Sequence, residues 1–91
     1  MSCEWDPRKA EANFRKHKVR FTEAVPVFVD DFAITDMDDE SDPHEVRFVT
    51  MGTGLKERGL VVVYCYRGRK IRIISARPAE AQERRQYEEQ R

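Results

Sequence analysis

The stretch Arg69-Lys70-Ile71-Arg72-Ile73-Ile74-Ser75-Ala76-Arg77 combines a strand signal with a cluster of cations. Its three isoleucines are β-branched and favour a pleated, half-buried surface. Interleaved with them are Arg69, Lys70, Arg72 and Arg77. Packing alone gives a buried strand no reason to carry so many cations, whereas holding a polyanion does. The segment therefore points to phosphate, of which nucleic acid is the commonest cellular source in repeated form.

Working outward, Gly68 marks a tight hairpin back to Leu60–Tyr66, a near-continuous apolar run that reads as a central strand. Before it, Gly52-Thr53-Gly54 and the polar residues to Gly59 form a turn, preceded by an alternating strand over Val46–Met51. Phe32-Ala33-Ile34-Thr35 reads as a short strand, and the acidic run to Glu45 as a solvated loop. Towards the N-terminus, Asp6-Pro7 is a helix start, with Asp as N-cap and Pro at the first helical position. Ala10, Phe14 and His17 follow at helical spacing, and the helix is expected to end near His17 or Lys18. Thr22 caps a second helix over about 22–29, with Pro26 in its first turn. Pro78 opens a final helix laced by the pairs Glu80–Arg84, Arg84–Glu88 and Arg85–Glu89 and anchored by Tyr87. The expected architecture is α+β: two N-terminal helices, a four-stranded antiparallel sheet, and a C-terminal helix, with the helices packed on one face of the sheet.

Ninety-one residues set the expectation of one domain over 1–91, burying roughly 60–65% of its unfolded surface around a thin core. A window of about eighteen apolar residues is missing, so no membrane span is expected. Met1-Ser2-Cys3-Glu4-Trp5-Asp6 lacks a secretory signal pattern, which together sets the expectation of a cytoplasmic protein. Cys3 and Cys65 are too few for a disulfide framework and lack metal-binding spacing; Cys65 reads as a small core residue. The net charge of zero hides a division. Residues 30–45 hold eight acids and no Lys or Arg, whereas residues 46–78 hold eight bases and one acid, Glu57. A basic surface survives beside an acidic loop if the two are about a Debye length apart.

The chemistry concentrates on arginines. With Ile71 and Ile73 facing the helices, Arg72 falls on the opposite side, together with Ile74 and Ala76. Arg47 occupies the same face on another strand, and Arg77 ends the strand. Three guanidiniums around one site stabilise a phosphorane-like transition state and remain charged at any relevant pH; the plainer alternative is a set of solvated surface charges. His17 has the proton affinity that cleavage at an RNA 2′-hydroxyl needs, and Lys16 and Lys18 beside it either depress its pKa or bind phosphate. Its plainer role is a helix C-terminal residue favoured by the dipole, or a core imidazole. Asp36, Asp38 and Glu40 alternate as in a calcium loop, but Ser41 replaces the obligatory glycine and Arg47 the final Glu, so that motif fails. His44 reads as solvated, and no cofactor or metal is expected.

Glu4-Trp5-Asp6-Pro7 with Lys9, Asn13, Lys16-His17, Phe21 with Glu23-Ala24, Arg47, Ile71 to Arg77, Glu83-Arg84 and Tyr87 together resemble the BrnT toxin family, in order and without large gaps. The resemblance implies a RelE-like fold and a metal-independent endoribonuclease that blocks translation. It also implies a BrnA-type antitoxin that neutralises the toxin in a hetero-oligomer and alone contacts operator DNA. By position it places His17, Arg47, Arg72 and Arg77 in the catalytic set. Lys16, Lys18, Arg69, Lys70 and Ser75 complete the expected RNA-binding surface. Lys18 stands where the family usually has Gly, and Pro78 where a basic residue is common. The rival readings are a non-catalytic nucleic-acid-binding module and a degenerate toxin fold kept for protein interaction.

Overall fold

A computed structural model describes residues 2–90. The element order is β1 (Ser2–Glu4), α1 (Pro7–His17), α2 (Phe21–Ala24), a 3₁₀ turn (Val25–Val29), β2 (Ile34–Met37), β3 (Phe48–Thr53), a short 3₁₀ turn (Leu55–Glu57), β4 (Gly59–Arg67), β5 (Lys70–Pro78) and α3 (Ala81–Glu89). The fold is α+β, but the sheet has five strands in the order β1-β5-β4-β3-β2 and is mixed. The expected four-stranded antiparallel sheet lacked β1, which pairs parallel to β5 through Ser2–Lys70, Cys3–Ile71 and Glu4–Arg72. Three residues carry too short an alternation to announce a strand; the pairing edge of β5 creates it.

The α1 helix forms as its sequence dictates. The Asp6 carboxylate accepts the Arg8 amide proton at 2.8 Å, Pro7 opens the first turn, and Arg15, Lys16 and His17 crowd the negative end of the dipole. Lys18 ends the helix in the left-handed region (φ 59°, ψ 31°) and donates its amide to the Phe14 carbonyl. The expected second helix over 22–29 is α-helical only to Ala24, with Thr22 inside it, not at its cap. Pro26 has no N–H to continue the i→i−4 ladder, so the chain tightens into the 3₁₀ turn.

Two strands sit about two residues later than expected. β2 runs through Met37, and β3 extends through Gly52 and Thr53, which pair with Leu60 and Gly59. Gly68, with φ 62°, supplies the expected hairpin bend. Pro78 belongs to β5, opposite Leu60, and opens no helix. The ladder continues to the Ala79 amide, which donates to the Gly59 carbonyl, and the helix waits for Glu80 and Glu83, whose carboxylates form a reciprocal capping box. Arg84 turns back to the Ala79 carbonyl at 2.6 Å.

Helices cover both faces of the sheet, which corrects the expected one-sided packing. Leu60, Val62, Tyr64, Ile71, Ile73 and Ala76 pack with Val19, Phe21, Ala24 and Val27 on one face. Val61, which alternates with Leu60 and Val62, packs with Met51, Ala79 and Tyr87 on the other, under α3. α3 covers only part of that second face. The remainder, beside β1 and the ends of β4 and β5, carries the cations.

A bulge in β5 decides which residues join them. Val63 pairs with Ser75 but Tyr64 pairs with Ile73, leaving Ile74 without a partner of its own. Consequently Ile73 and Ala76, three apart, both enter the helix-side core, and Ala76 is fully buried. Ala76 therefore does not share the face of Arg72, as plain alternation predicts. Arg72 before Ile73 and Arg77 after Ala76 instead fall on the same side. Beyond β1, the free edge of β5 is closed by Asn13. Its side chain accepts from the Ala76 amide (3.0 Å) and donates to the carbonyls of Ala76 (2.8 Å) and Val19 (3.0 Å). This clamp fixes α1 against the bulged strand.

Candidate active site

With α1 held at that edge, two clefts meet. One is lined by Lys9, Ala12, Asn13, Lys16 and His17 of α1 and by Ile74 and Ser75 of the bulge. The other, about 500 Å³, is lined by Lys9, Glu40, Asp42, His44, Glu45, Arg47, Arg67, Arg72 and Ile74. They share Lys9 and Ile74, so the two form one groove. Lys9, Lys16 and His17 lie seven and eight residues apart, about two helical turns, and so project from one side of α1.

The groove brings together His17, Lys16, Ser75, Arg47 and Arg72 from the expected set. Arg77 lies near enough to act on His17. The imidazole is pushed below its ordinary 6.5 by burial first, then by the positive charges of Lys16 and Arg77. The site leaves out Lys18, Arg69 and Lys70. Lys18 caps α1, its ammonium lying 5.8 Å from the Phe14 ring centroid, while its carbonyl accepts from Arg58. Arg69 and Lys70 are exposed at the hairpin and line neither cleft.

Each of the three arginines expected to be catalytic already holds a carboxylate. Arg72 Nη1 lies 2.7 Å from Glu4 Oε2, brought there by the β1 register. Arg77 makes a bidentate pair with Glu83, both contacts 2.8 Å, and also donates to the Pro78 carbonyl. Those hydrogen bonds raise the Arg77 pKa and hold the Glu83 carboxyl below its ordinary range. Arg47 Nη2 lies 2.9 Å from Asp38 and 3.6 Å from Glu40, and its buried Nε has no hydrogen-bond partner.

The acidic segment is the exposed loop that was expected, and it is also folded around Arg47. The Ser41 hydroxyl donates to the Arg47 carbonyl and accepts from its amide, and the Asp38 amide donates to the same carbonyl. Glu45 meets Arg67 at 3.2 Å and accepts from the Cys65 thiol at 3.4 Å; these contacts hold its carboxyl below the ordinary range. His44 lines the groove. Among the described residues, no three His, Cys, Asp or Glu side chains converge on a metal-sized site, and no helix is long and apolar enough to cross a membrane.

Sequence reasoning missed Arg67, and met Glu4 and Lys9 only through a family likeness, with no role for either. The seven-residue spacing of Lys9 and Lys16 on one helix was the available signal for Lys9. Nothing local signals Glu4, because only the parallel pairing carries it to Arg72.

No curated protein matches the chain. Among solved structures, it is similar to the 1.1 Å crystal structure of the Brucella abortus ribonuclease toxin BrnT. The two share 22% identity over 88% of this chain and 97% of that one, with a TM-score of 0.70, a likeness of fold. Residues 5–83 match the family described as the ribonuclease toxin BrnT of type II toxin–antitoxin systems. That match spans Trp5, the groove-lining side of α1, Arg47, the bulged β5 and Glu83, so the chain belongs to the BrnT family of ribonuclease toxins.

Proposed function

We propose that this chain is the toxin of a type II pair and acts as a metal-independent endoribonuclease that inhibits translation, working in the groove between α1 and β5. The observation that carries this reading is the meeting of His17, Lys16 and Lys9 on α1 with Ser75 and Arg72 on β5 and with Arg47, which lies in the loop just before β3 and not on the strand where it was expected. Arg72 and Arg47 hold the two non-bridging oxygens of the scissile phosphate and neutralise the charge that grows on them. Arg77, fixed by Glu83, keeps a positive field beside His17. With its pKa lowered, His17 is neutral near pH 7 and accepts the proton of the 2′-hydroxyl. That oxygen attacks phosphorus as the bond to the 5′-oxygen breaks. The leaving oxygen takes a proton from water or from an ammonium of the groove, and the products are a 2′,3′-cyclic phosphate and a 5′-hydroxyl.

The membership of a type II family supports a protein antitoxin of the BrnA type as partner, with operator DNA contacted only through that antitoxin. The exposed cations of the groove favour an antitoxin segment that brings carboxylates to it.

The test compares wild type, Arg72→Ala and His17→Ala after removal of the antitoxin, on a single-stranded RNA with product ends identified. Loss of one charge contact is expected to slow cleavage by about 10²–10³. Intact RNA with the wild type at low salt would overturn the catalytic reading and leave a binding module. Equal cleavage by all three would remove His17 and Arg72 from the mechanism.

A further inference from the structure

The groove does not end at Arg67. A further cleft, about 400 Å³, is lined by His44, Glu45, Val46, Phe48, Tyr66 and Arg67, so it shares His44, Glu45 and Arg67 with the cation cleft. Its character is different, because aromatic carbon replaces guanidinium. Tyr66 is 55% exposed, where β4 leaves its buried stretch and runs out to Arg67. Two other rings hold it: Phe48, with centroids 5.7 Å apart at 72°, and Tyr64, 5.9 Å apart at 81°. Tyr64 is in turn buried, packed edge-on against Phe28 at 4.8 Å, its hydroxyl on Thr50 at 2.8 Å. The exposed ring is therefore fixed in place by a buried aromatic stack.

A fixed, half-exposed aromatic one residue away from a groove-lining arginine is what an unpaired nucleobase requires. Every base offers a π-face, stacking on a preset ring costs little side-chain entropy, and the neighbouring cation takes the backbone phosphate. A small apolar ligand would not need Arg67 and His44 at the rim. An acidic peptide need not carry a planar ring to lay on Tyr66, which is the contact that the exposed ring offers.

We propose that the cleft lined by His44, Phe48, Tyr66 and Arg67 is a nucleobase-binding subsite, in which a base flanking the scissile phosphate stacks on Tyr66. The proposal rests on the ribonuclease reading above and adds to it the determinant of where the strand lies. Arg67 bridges the two clefts and takes the phosphate between the stacked base and the reacting nucleotide.

The experiment measures binding of two single-stranded probes at one fixed low salt concentration. One is a 2′-O-methyl oligoribonucleotide, which cannot be cleaved; the other has the same length of backbone without bases. Tyr66→Ala is expected to weaken the base-bearing probe about tenfold and to leave the abasic probe unchanged. Tyr66→Phe is expected to bind both probes like the wild type, because the ring and not the hydroxyl does the stacking. Thermal melting of each variant reports folding, and His44→Ala, a change at an exposed loop residue, provides a second test with the same selectivity for the base-bearing probe. Equal binding of both probes by wild type and Tyr66→Ala would overturn the subsite and leave the aromatic cleft to a protein partner. A parallel loss for both probes would show a structural role for Tyr66 and overturn it as well. Cleavage of ordinary RNA by the same wild-type sample separates the two failures. RNA cut normally but insensitive to Tyr66 removes only the subsite, whereas RNA neither bound nor cut removes the ribonuclease reading too.

Discussion

At the scale of single residues, His17 and Lys18 show how adjacent positions on one helix end divide between chemistry and architecture. Burial and the charges of Lys16 and Arg77 both favour the neutral imidazole. The folded chain therefore holds the proton less tightly than the unfolded chain. The stability that this shift contributes is complete above the ordinary pKa of 6.5 and is lost as pH falls from 6.5 through the lower folded pKa. If His17 is the base, the acid limb of the cleavage rate lies below pH 6.5, and Lys16→Gln moves its inflection up towards that value. A pH–rate profile of the two proteins checks this, and an unmoved inflection would take His17 out of the proton transfer. Lys18 follows a different rule. Its φ of 59° places a Cβ where the left-handed backbone disfavours one, and its side chain lies outside the groove. Lys18→Gly is therefore expected to stabilise the chain by about 1 kcal/mol, without loss of activity. In a thermal melt that is a rise of about 4–8 °C for a chain this size.

At the scale of elements, β5 and the acidic segment matter most. β5 is a bulged strand whose extra residue, Ile74, lets Arg72 and Arg77 share a side while Ile71, Ile73 and Ala76 all reach the core. The bulge also places Ile74 and Ser75 against α1, so the same irregularity that sorts the faces lines the groove. The acidic segment turns back on Arg47 and lends Glu40, Asp42 and Glu45 to the walls of the cation cleft. These carboxylates repel a phosphate backbone and occupy guanidinium donors that it would use. Replacing Asp38, Glu40 and Glu45 together by their amides is expected to tighten binding of an uncleavable oligonucleotide severalfold at low salt, with the difference fading as the Debye length shrinks to about 3 Å at 1 M salt. A salt titration of both proteins provides the measurement. Unchanged affinity at low salt would mean that the segment only scaffolds Arg47.

At the scale of the whole molecule, a neutral chain supports a basic groove because its charges are arranged in pairs. The groove arginines and Arg77 beside them are oriented by carboxylates from three parts of the chain: Glu4 from β1, Asp38, Glu40 and Glu45 from the acidic segment, and Glu83 from α3. Pairing of partly exposed ions adds little to stability. Its effect here is geometric, since it sets the direction of side chains that would otherwise be loose. Much of this architecture was legible beforehand. The Asp6-Pro7 start, the apolar run of β4, the hairpin at Gly68 and the strand character of 69–77 are local signals, written in propensity, capping and turn chemistry. The arginines could be named because Ile71 and Ile73 announce a core side and leave Arg72 the other.

Local pattern was silent wherever a distant partner made the decision. Three residues of β1 become a strand only because β5 offers an edge. Alternation misplaced Ala76 because a bulge is a property of two strands in register, not of one. The acidic run is solvated, as acids alone favour, but only the fold presents it with Arg47 and Arg67. The amino-acid sequence by itself determined α1, the strand character of β4 and β5 with the hairpin between them, the separation of charge and the family, through short-range propensities and ordered motifs. The tertiary structure alone decided that α3 lies across the sheet from α1, that the groove arginines are each held by an acid, and that Tyr66 is exposed in a cleft beside Arg67. Those outcomes depend on pairing register and packing between residues far apart in the chain, which no local window contains.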